Sequence, residues 1–125
     1  MEKLKFGIAG FGKMGRIREQ SISDSDLAVL FATYDVETSR SYDQAVLSCS
    51  SFEELLATDI DAVIVSTPDH THAPASIMAM EMDKPVYCQK PLAHHVSEVR
   101  AMRKIAEEKN LVTQMGIQVH SFYDY

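Results

Sequence analysis

Three glycines in six positions follow an apolar run near the start of the chain. The segment GFGKMG matches the pattern G-x-G-x-x-G. In this pattern the first glycine permits a tight turn, the second lets a pyrophosphate approach the backbone, and the third lets the following helix pack close to the strand. The free N–H groups of that helix's first turn and the positive end of its dipole then bind phosphate. The candidate binding residues are Gly10, Phe11, Gly12, Lys13, Met14 and Gly15.

An acidic residue, Asp35, lies about 20 residues beyond Gly15, at the end of the second apolar run. Its carboxylate can accept hydrogen bonds from both adenosine ribose hydroxyls, so the spacing predicts a dinucleotide site that includes Asp35 and Val36. A carboxylate there would repel the 2′-phosphate of NADP, which favours NAD as the cofactor. The alternative is that Asp35 only forms a turn. Arg40 could accept a 2′-phosphate or could be a solvated helix residue.

Two further polar clusters follow predicted strands: residues 66–72 read STPDHTH, and residues 87–91 read YCQKP. Their histidines, together with the adjacent His94 and His95, invite a zinc hypothesis. Zinc requires three or four converging ligands, and an H-x-H pair on a loop does not supply that geometry by itself. We therefore predict no metal site.

The elements that must position these residues are visible as near-continuous apolar runs, which are typical of strands covered on both faces. The predicted strands are 4–10, 27–34, 61–67, 85–89 and 111–117. Predicted helices begin at Ser51 and at Pro74 and span 95–109, while 37–50 is weakly patterned, with a possible helix over 39–47 and a short edge strand over 47–50. This alternation predicts an α/β fold with a doubly wound parallel sheet (Rossmann fold) in three α/β/α layers.

Composition limits the remaining possibilities. The 125 residues are enough for one domain with its own core. Cys49 and Cys88 have no metal-like spacing and the N-terminus has no leader-like pattern, which predicts a reducing cytoplasm. No apolar run reaches the roughly 20 residues that span a bilayer. The net charge of −6 argues against a nucleic-acid partner.

With the glycine loop and Asp35, residues 66–92 and 111–118 resemble the N-terminal half of the Gfo/Idh/MocA family, named for glucose-fructose oxidoreductase and inositol dehydrogenase. The resemblance covers the chain up to about Ser121. It implies an NAD(P)-dependent oxidation or reduction of a small-molecule substrate, namely a sugar, a cyclitol or a related hydroxyl compound.

The resemblance also implies roles for individual residues. Thr67, Pro68 and His72 would line the cofactor, and Gln118 would approach the nicotinamide end. Lys90, the lysine of the E-K-P motif, would lie beside the nicotinamide and the reacting hydroxyl as the catalytic residue. An ammonium there stabilises the developing alkoxide and can relay its proton. The alternative for Lys90 is a surface lysine before a turn proline, and the alternative for Gln118 is a simple loop glutamine.

The sequence departs from the family in one motif residue, since Gln89 stands where the family usually has Glu. The neutral amide of Gln89 can still orient Lys90 by hydrogen bonding, and Gln89 is one of the candidate cofactor-binding residues. It lacks the carboxylate that would keep the ammonium charged.

A second departure is length, because family members carry a C-terminal substrate domain. We expect residues 1–121 to form the dinucleotide-binding domain and residues 122–125 to begin the missing domain. The chain would then be either an excised or engineered piece of a longer protein or a shortened protein. Alone, the chain is expected to be weakly active or inactive. The uncovered face, including Phe122, Tyr123 and Tyr125, predicts a homodimer. A noncatalytic dinucleotide-binding or sensing module, acting through a partner or self-association, is the alternative function.

Overall fold

The structure is a computed structural model that describes residues 2–10, 12–36 and 47–117. These residues form one six-stranded sheet in which all paired strands are parallel. The strands are β1 (Leu4–Ala9), β2 (Ala28–Tyr34), β3 (Leu47–Cys49), β4 (Ala62–Val65), β5 (Val86–Gln89) and β6 (Thr113–Gly116). All five predicted strands are present, several of them shorter than predicted, and the weakly predicted edge strand is β3.

The order of the strands is β3-β2-β1-β4-β5-β6. The chain therefore starts at the centre of the sheet, builds outward to β3, and then crosses back to the other side of β1. The order reverses between β1 and β4, whose carboxyl ends pair Ala9 with Val65. This is the predicted doubly wound Rossmann arrangement, whose ligand crevice lies beyond the carboxyl ends of these two strands.

Helices cover both faces of the sheet. The described part of the chain contains α1 (Lys13–Ser23), α2 (Phe52–Ala57), α3 (His72–Glu81) and α4 (Val96–Glu108), with a short 3₁₀ turn at Asp69–Thr71 before α3. Right-handed crossovers place α1 on one face and the other three helices on the opposite face. The core divides accordingly: Ile22 of α1 packs with Ile8 and Ile64, whereas α2, α3 and α4 share the larger cluster with Val63 and Val65. Alternate strand residues thus serve two cores, which confirms the three layers.

Helix starts follow local chemistry with small differences from prediction. Ser51 Oγ accepts a hydrogen bond from Glu54 N at 3.0 Å, which caps α2. The Glu54 carboxylate accepts from Ser50 N at 2.9 Å, so this half of the predicted capping box is displaced by one residue. Helix α3 begins at His72, two residues before Pro74. The predicted helix over 39–47 falls on residues 39–46, which are outside the described residues, and on Leu47, which begins β3.

Both cysteines, Cys49 and Cys88, are buried free thiols. None of the helices in the described ranges is long and apolar enough to cross a membrane.

Candidate functional site

The bend after β1 is built around Gly10. Its φ of +87° lies in the left-handed region that favours glycine. A Cβ at this position would lie 2.6 Å from the carbonyl group of Ser66 and from Thr67 N, which are main-chain atoms that cannot swing aside. Gly10 N also donates to Tyr34 O at 2.7 Å, so the bend is fixed against β2. Gly10 therefore ties together the ends of β1, β2 and β4.

The first turn of α1 faces the crevice with its main-chain amides. Gly12 is the N-cap, and the first helical bond runs from Arg16 N to Gly12 O at 3.0 Å. The amides of Lys13, Met14 and Gly15 precede that bond and so have no partner within the helix. Gly15 is buried and the first turn contains no acidic residue, which leaves the positive end of the dipole available to an anion. Phe11 lies outside the described residues.

The carboxyl end of β2 carries Asp35, which is only 9% exposed, and then Val36, which is 81% exposed. Asp35 follows Tyr34, whose carbonyl accepts from Gly10 N, so the acidic residue lies next to the glycine bend. This is where the sequence predicts a ribose-binding carboxylate. Arg40 lies outside the described residues, so its competing role stays a prediction.

The loop after β4 contains Thr67 and Pro68 and then forms the 3₁₀ turn. Thr71 Oγ1 donates its single hydroxyl hydrogen either to Thr67 Oγ1 or to Pro68 O, both at 2.7 Å. Thr67 is half-buried and Pro68 is exposed. Because β4 borders the reversal, this loop lies at the crevice, as the prediction for Thr67 and Pro68 requires.

His72 is 2% exposed and its ring lies between main-chain carbonyls. Nδ1 is 2.5 Å from Pro91 O, and Nε2 is 2.8 Å from Thr67 O. Burial lowers the pKa of His72, but the Cys88 side chain and the carbonyls of Pro91 and Thr67 outweigh burial and raise that pKa to about 9. Both ring nitrogens are thus committed within the protein, whereas the family resemblance placed His72 among the residues that line the cofactor.

The loop after β5 presents Lys90 at the surface next to buried Gln89. Arg18 Nη2 of α1 donates to Gln89 Oε1 at 3.1 Å, and Gln89 Nε2 donates to Gly116 O at 3.3 Å. Both polar atoms of the Gln89 amide are thus bonded to Arg18 and to Gly116, whereas the sequence suggested that this amide could orient Lys90. The Lys90–Pro91 peptide bond is cis.

Sequence reasoning missed Arg18, which lies one helix away from the glycine loop. Its guanidinium carbon is 5.0 Å from the centroid of the Tyr87 ring, within the range of a cation–π contact. Arg18 therefore links α1 to β5 through both Tyr87 and Gln89. No short-range pattern could reveal this contact, because it joins residues 71 positions apart.

An exposed contact joins the loop after β4 to the loop after β5, which His72 also connects. His94 Nε2 lies 3.0 Å from Asp69 Oδ1, and the hydrogen bond from His94 is the main cause that lowers the pKa of Asp69. The His94 ring is also 6.4 Å from the rings of His70 and His95. Within the described ranges, no group of three or more His, Cys, Asp or Glu side chains is arranged to hold a metal ion.

The site thus combines a glycine bend, an uncapped helix start and a strand-end carboxylate at the reversal of a doubly wound sheet. The sequence model of the Gfo/Idh/MocA oxidoreductases, a family with an NAD-binding Rossmann fold, matches residues 4–117. The chain belongs to this family. Its candidate site is therefore the cofactor-binding crevice of a family in which that crevice binds NAD.

Individual relatives agree with this assignment. The chain is 30% identical over 124 residues to an uncharacterized oxidoreductase of Streptococcus pneumoniae, covering 97% of this chain and 34% of the relative. It is 32% identical over 124 residues to an inositol 2-dehydrogenase of Rubrobacter xylanophilus, covering 94% of this chain and 35% of the relative. The chain thus spans about a third of the length of these relatives.

Solved structures show the same fold. The myo-inositol 2-dehydrogenase of Lactobacillus plantarum superimposes with a TM-score of 0.90 at 21% identity, over 98% of this chain and 38% of that one. The scyllo-inositol dehydrogenase of Lactobacillus casei, solved with NAD(H) and scyllo-inositol, also gives 0.90, at 23% identity over 99% and 39%. At these identities the likeness concerns the fold.

Proposed function

We propose that this chain is the NAD-binding part of an oxidoreductase that transfers a hydride between the nicotinamide and a sugar, cyclitol or related hydroxyl compound. The observation that carries the proposal is the start of α1, where main-chain amides without helical partners face the reversal of the sheet. The substrate class comes from the inositol dehydrogenases among the relatives. We further propose that residues 1–121 form this unit and that residues 122–125 begin a substrate-binding domain.

The residues present fit such a cofactor. Gly10 cannot carry a Cβ, and Gly12 opens α1 without a side chain, so a pyrophosphate can approach the main chain. The amides of Lys13, Met14 and Gly15 would donate to it, with the exposed Lys13 ammonium adding charge. The cradle needs no basic surface, which agrees with the net charge of −6.

Asp35 would select the cofactor at the ribose. A nearly buried carboxylate accepts hydrogen bonds from the two ribose hydroxyls of NAD but would repel the 2′-phosphate of NADP. This supports NAD as the preferred cofactor. Val36, which follows Asp35 in the chain, and Arg40 would belong to the proposed adenosine side.

Lys90 would act at the reacting end. NAD supplies the hydride acceptor, and the chain must then stabilise the alcohol oxygen as its proton leaves. The ammonium of Lys90, exposed beyond the carboxyl end of β5, would donate to that oxygen and stabilise its charge. Thr67, Pro68 and Gln118 would line the nicotinamide beside it.

The test is NADH formation over a panel of cyclitols and sugars by the wild type, Lys90→Ala and the control Lys104→Ala. Lys104 is an exposed lysine of α4 that pairs with Glu108 of the same helix. We expect trace turnover by the wild type. Lys90→Ala should abolish this turnover but still bind NAD, and Lys104→Ala should keep the turnover. Binding without turnover on any substrate would favour a noncatalytic dinucleotide-binding or sensing module instead.

We also propose a cytoplasmic homodimer. The two buried free thiols are typical of a reducing compartment. Val112, beside the edge strand β6, is 78% exposed, and exposed apolar side chains favour self-association. Phe122, Tyr123 and Tyr125 lie outside the described residues, so their part in that surface stays a prediction. A strictly monomeric sedimentation profile at tens of micromolar would contradict the dimer.

A further inference from the structure

The loops after β4 and β5, which carry the proposed nicotinamide-facing residues, are joined beneath the surface by one side chain. We propose that His72 is a positioning residue that, as a doubly donating imidazolium, clamps these two loops together and so holds Lys90 at the cofactor. This inference rests on the proposed function, because it assigns His72 a role in arranging that site. In this proposal His72 acts through the two loops, instead of contacting the cofactor directly as the family resemblance implies.

The geometry requires two donors on one ring. Pro91 O and Thr67 O can only accept, and they lie 2.5 Å and 2.8 Å from the two ring nitrogens of His72. A neutral imidazole carries one N–H, so one of these carbonyls would then face a nitrogen lone pair. Only the imidazolium satisfies both contacts.

The surroundings also favour a cation. Cys88 of β5 interacts with the ring, and the charge of His72 contributes to the lowered pKa of Asp69 in the 3₁₀ turn. Cys88 Sγ lies 3.5 Å from Gln89 O and 3.9 Å from Leu92 O, so its S–H is directed at main-chain acceptors. Asp69 is the acidic group of the turn packed against α3, and it also pairs with His94.

The two carbonyls connect His72 directly to the proposed site. Pro91 follows Lys90 in the chain, so holding Pro91 O fixes the main chain that carries the reacting ammonium. Thr67 O belongs to the loop that would line the nicotinamide. Loss of the ring proton would remove one of the two bonds and release one loop from the other, while leaving Lys90 itself chemically unchanged.

The first test reads the charge of the ring without any cofactor. Long-range proton–nitrogen correlation spectra of ¹⁵N-histidine-labelled protein distinguish an imidazolium from either neutral tautomer. We expect both ring nitrogens of His72 to be protonated at about pH 7, with a titration midpoint well above 6.5, the ordinary pKa of histidine. A single neutral tautomer of His72 at about pH 7 would overturn the proposal.

The second test measures NAD binding by calorimetry at about pH 7 and about pH 10, with His72→Gln and the control Ser76→Ala. Gln has donors only on its amide nitrogen and an acceptor oxygen beside it, so it cannot replace the two ring N–H groups that face separate carbonyls. We expect His72→Gln to bind NAD about tenfold more weakly at the lower pH, and wild type to approach it at the higher pH. Ser76 is fully buried one turn along α3 and its hydroxyl has no hydrogen-bond partner among the described residues, so Ser76→Ala should follow wild type.

The two hypotheses fail in different ways. If wild type binds no NAD at any pH while the spectra show an imidazolium, the proposed function fails and the clamp between the loops stands. If folded His72→Gln binds NAD as tightly as wild type at both pH values, the positioning role is wrong and the dinucleotide site stands. If His72→Gln does not fold, the spectra and the pH dependence of wild-type binding decide the matter without it.

Discussion

The two ends of the crevice are built in different ways. At the phosphate end, neighbouring residues in one strand–bend–helix unit present main-chain amides, and Gly10 is fixed by contacts to the main chain of Ser66 and Tyr34. At the proposed nicotinamide end, side chains join distant segments: His72 bonds to Pro91, and Arg18 of α1 bonds to Gln89. One end depends on the absence of side chains, and the other depends on particular side chains.

This difference predicts different sensitivities. The main-chain cradle has no titratable group in its donors, so pH should affect it little, but any added Cβ at its bend is costly. At the proposed nicotinamide end His72 and Gln89 are buried, so a mismatch of donors and acceptors at either side chain is costly. Substitutions that alter charge or donor number should therefore act there, and steric substitutions should act at the phosphate end.

The largest effect is expected from Gly10→Ala. A Cβ at a φ of +87° and 2.6 Å from the Ser66 carbonyl must displace main chain, which we expect to cost about 3 kcal/mol or more of the free energy of unfolding. Urea unfolding measures this loss. Gly12→Ala is the matched control: its φ of −82° suits any residue, so it should stay near wild-type stability while losing NAD affinity. Equal unfolding midpoints for wild type and Gly10→Ala would contradict the described bend.

The next largest effect concerns alkaline stability. The pKa of His72 in the folded chain, about 9, exceeds its ordinary value of 6.5, so protonation stabilises the fold. That contribution is complete below about pH 6, reaches about 3 kcal/mol, and is lost as the pH rises through about 9. The measurement is the difference in unfolding free energy between wild type and His72→Gln from neutral to alkaline pH. A difference that is constant over this range would show that the ring does not titrate as described.

A smaller effect is expected from Gln89→Glu, which restores the residue usual in the family. The carboxylate would pair with Arg18 but could not donate to Gly116 O, so we expect a net loss of about 1 kcal/mol at neutral pH. The loss should shrink under acid conditions that protonate the carboxyl group. Gln114→Glu, at an exposed amide on the neighbouring β6, is the control and should have little effect. A more stable Gln89→Glu would mean that the pair with Arg18 outweighs the bond to Gly116.

The smallest effect is expected from His94→Ala. His94 and Asp69 bridge the same two loops as His72 but are about half exposed, so solvent screens their interaction. We expect unfolding midpoints and NAD affinity indistinguishable from wild type. A loss approaching that of His72→Gln would show that the surface bridge, rather than the buried ring, joins the loops.

The bend and the helix start at the proposed phosphate end could be predicted from the sequence because their information is local. Apolar runs predicted the five strands, and the glycine spacing predicted the position of the bend and of α1. The Ser51 cap was also correct, since capping depends on residues three positions apart. Even the reversal of strand order followed from the alternation of strands and helices, because crossover handedness restricts the possible topologies.

The nicotinamide end could be predicted only in part. The family resemblance proposes residues for this end but does not give their contacts. Gln89 bonds Arg18 rather than orienting Lys90, and the ring nitrogens of His72 bond carbonyls 19 and 5 positions away. Such contacts have no periodic signature, because they form only when separate strand ends meet in the folded sheet.

The most direct test of the account is a calorimetric titration of wild type and Asp35→Ala with NAD and with NADP. We expect wild type to bind NAD, and to bind NADP at least about tenfold more weakly, a difference of about 1.4 kcal/mol. Asp35→Ala should weaken NAD binding and should reduce the difference between the two affinities, because NADP would no longer be repelled. Absence of binding to either dinucleotide, or a preference that is the same with and without Asp35, would contradict it.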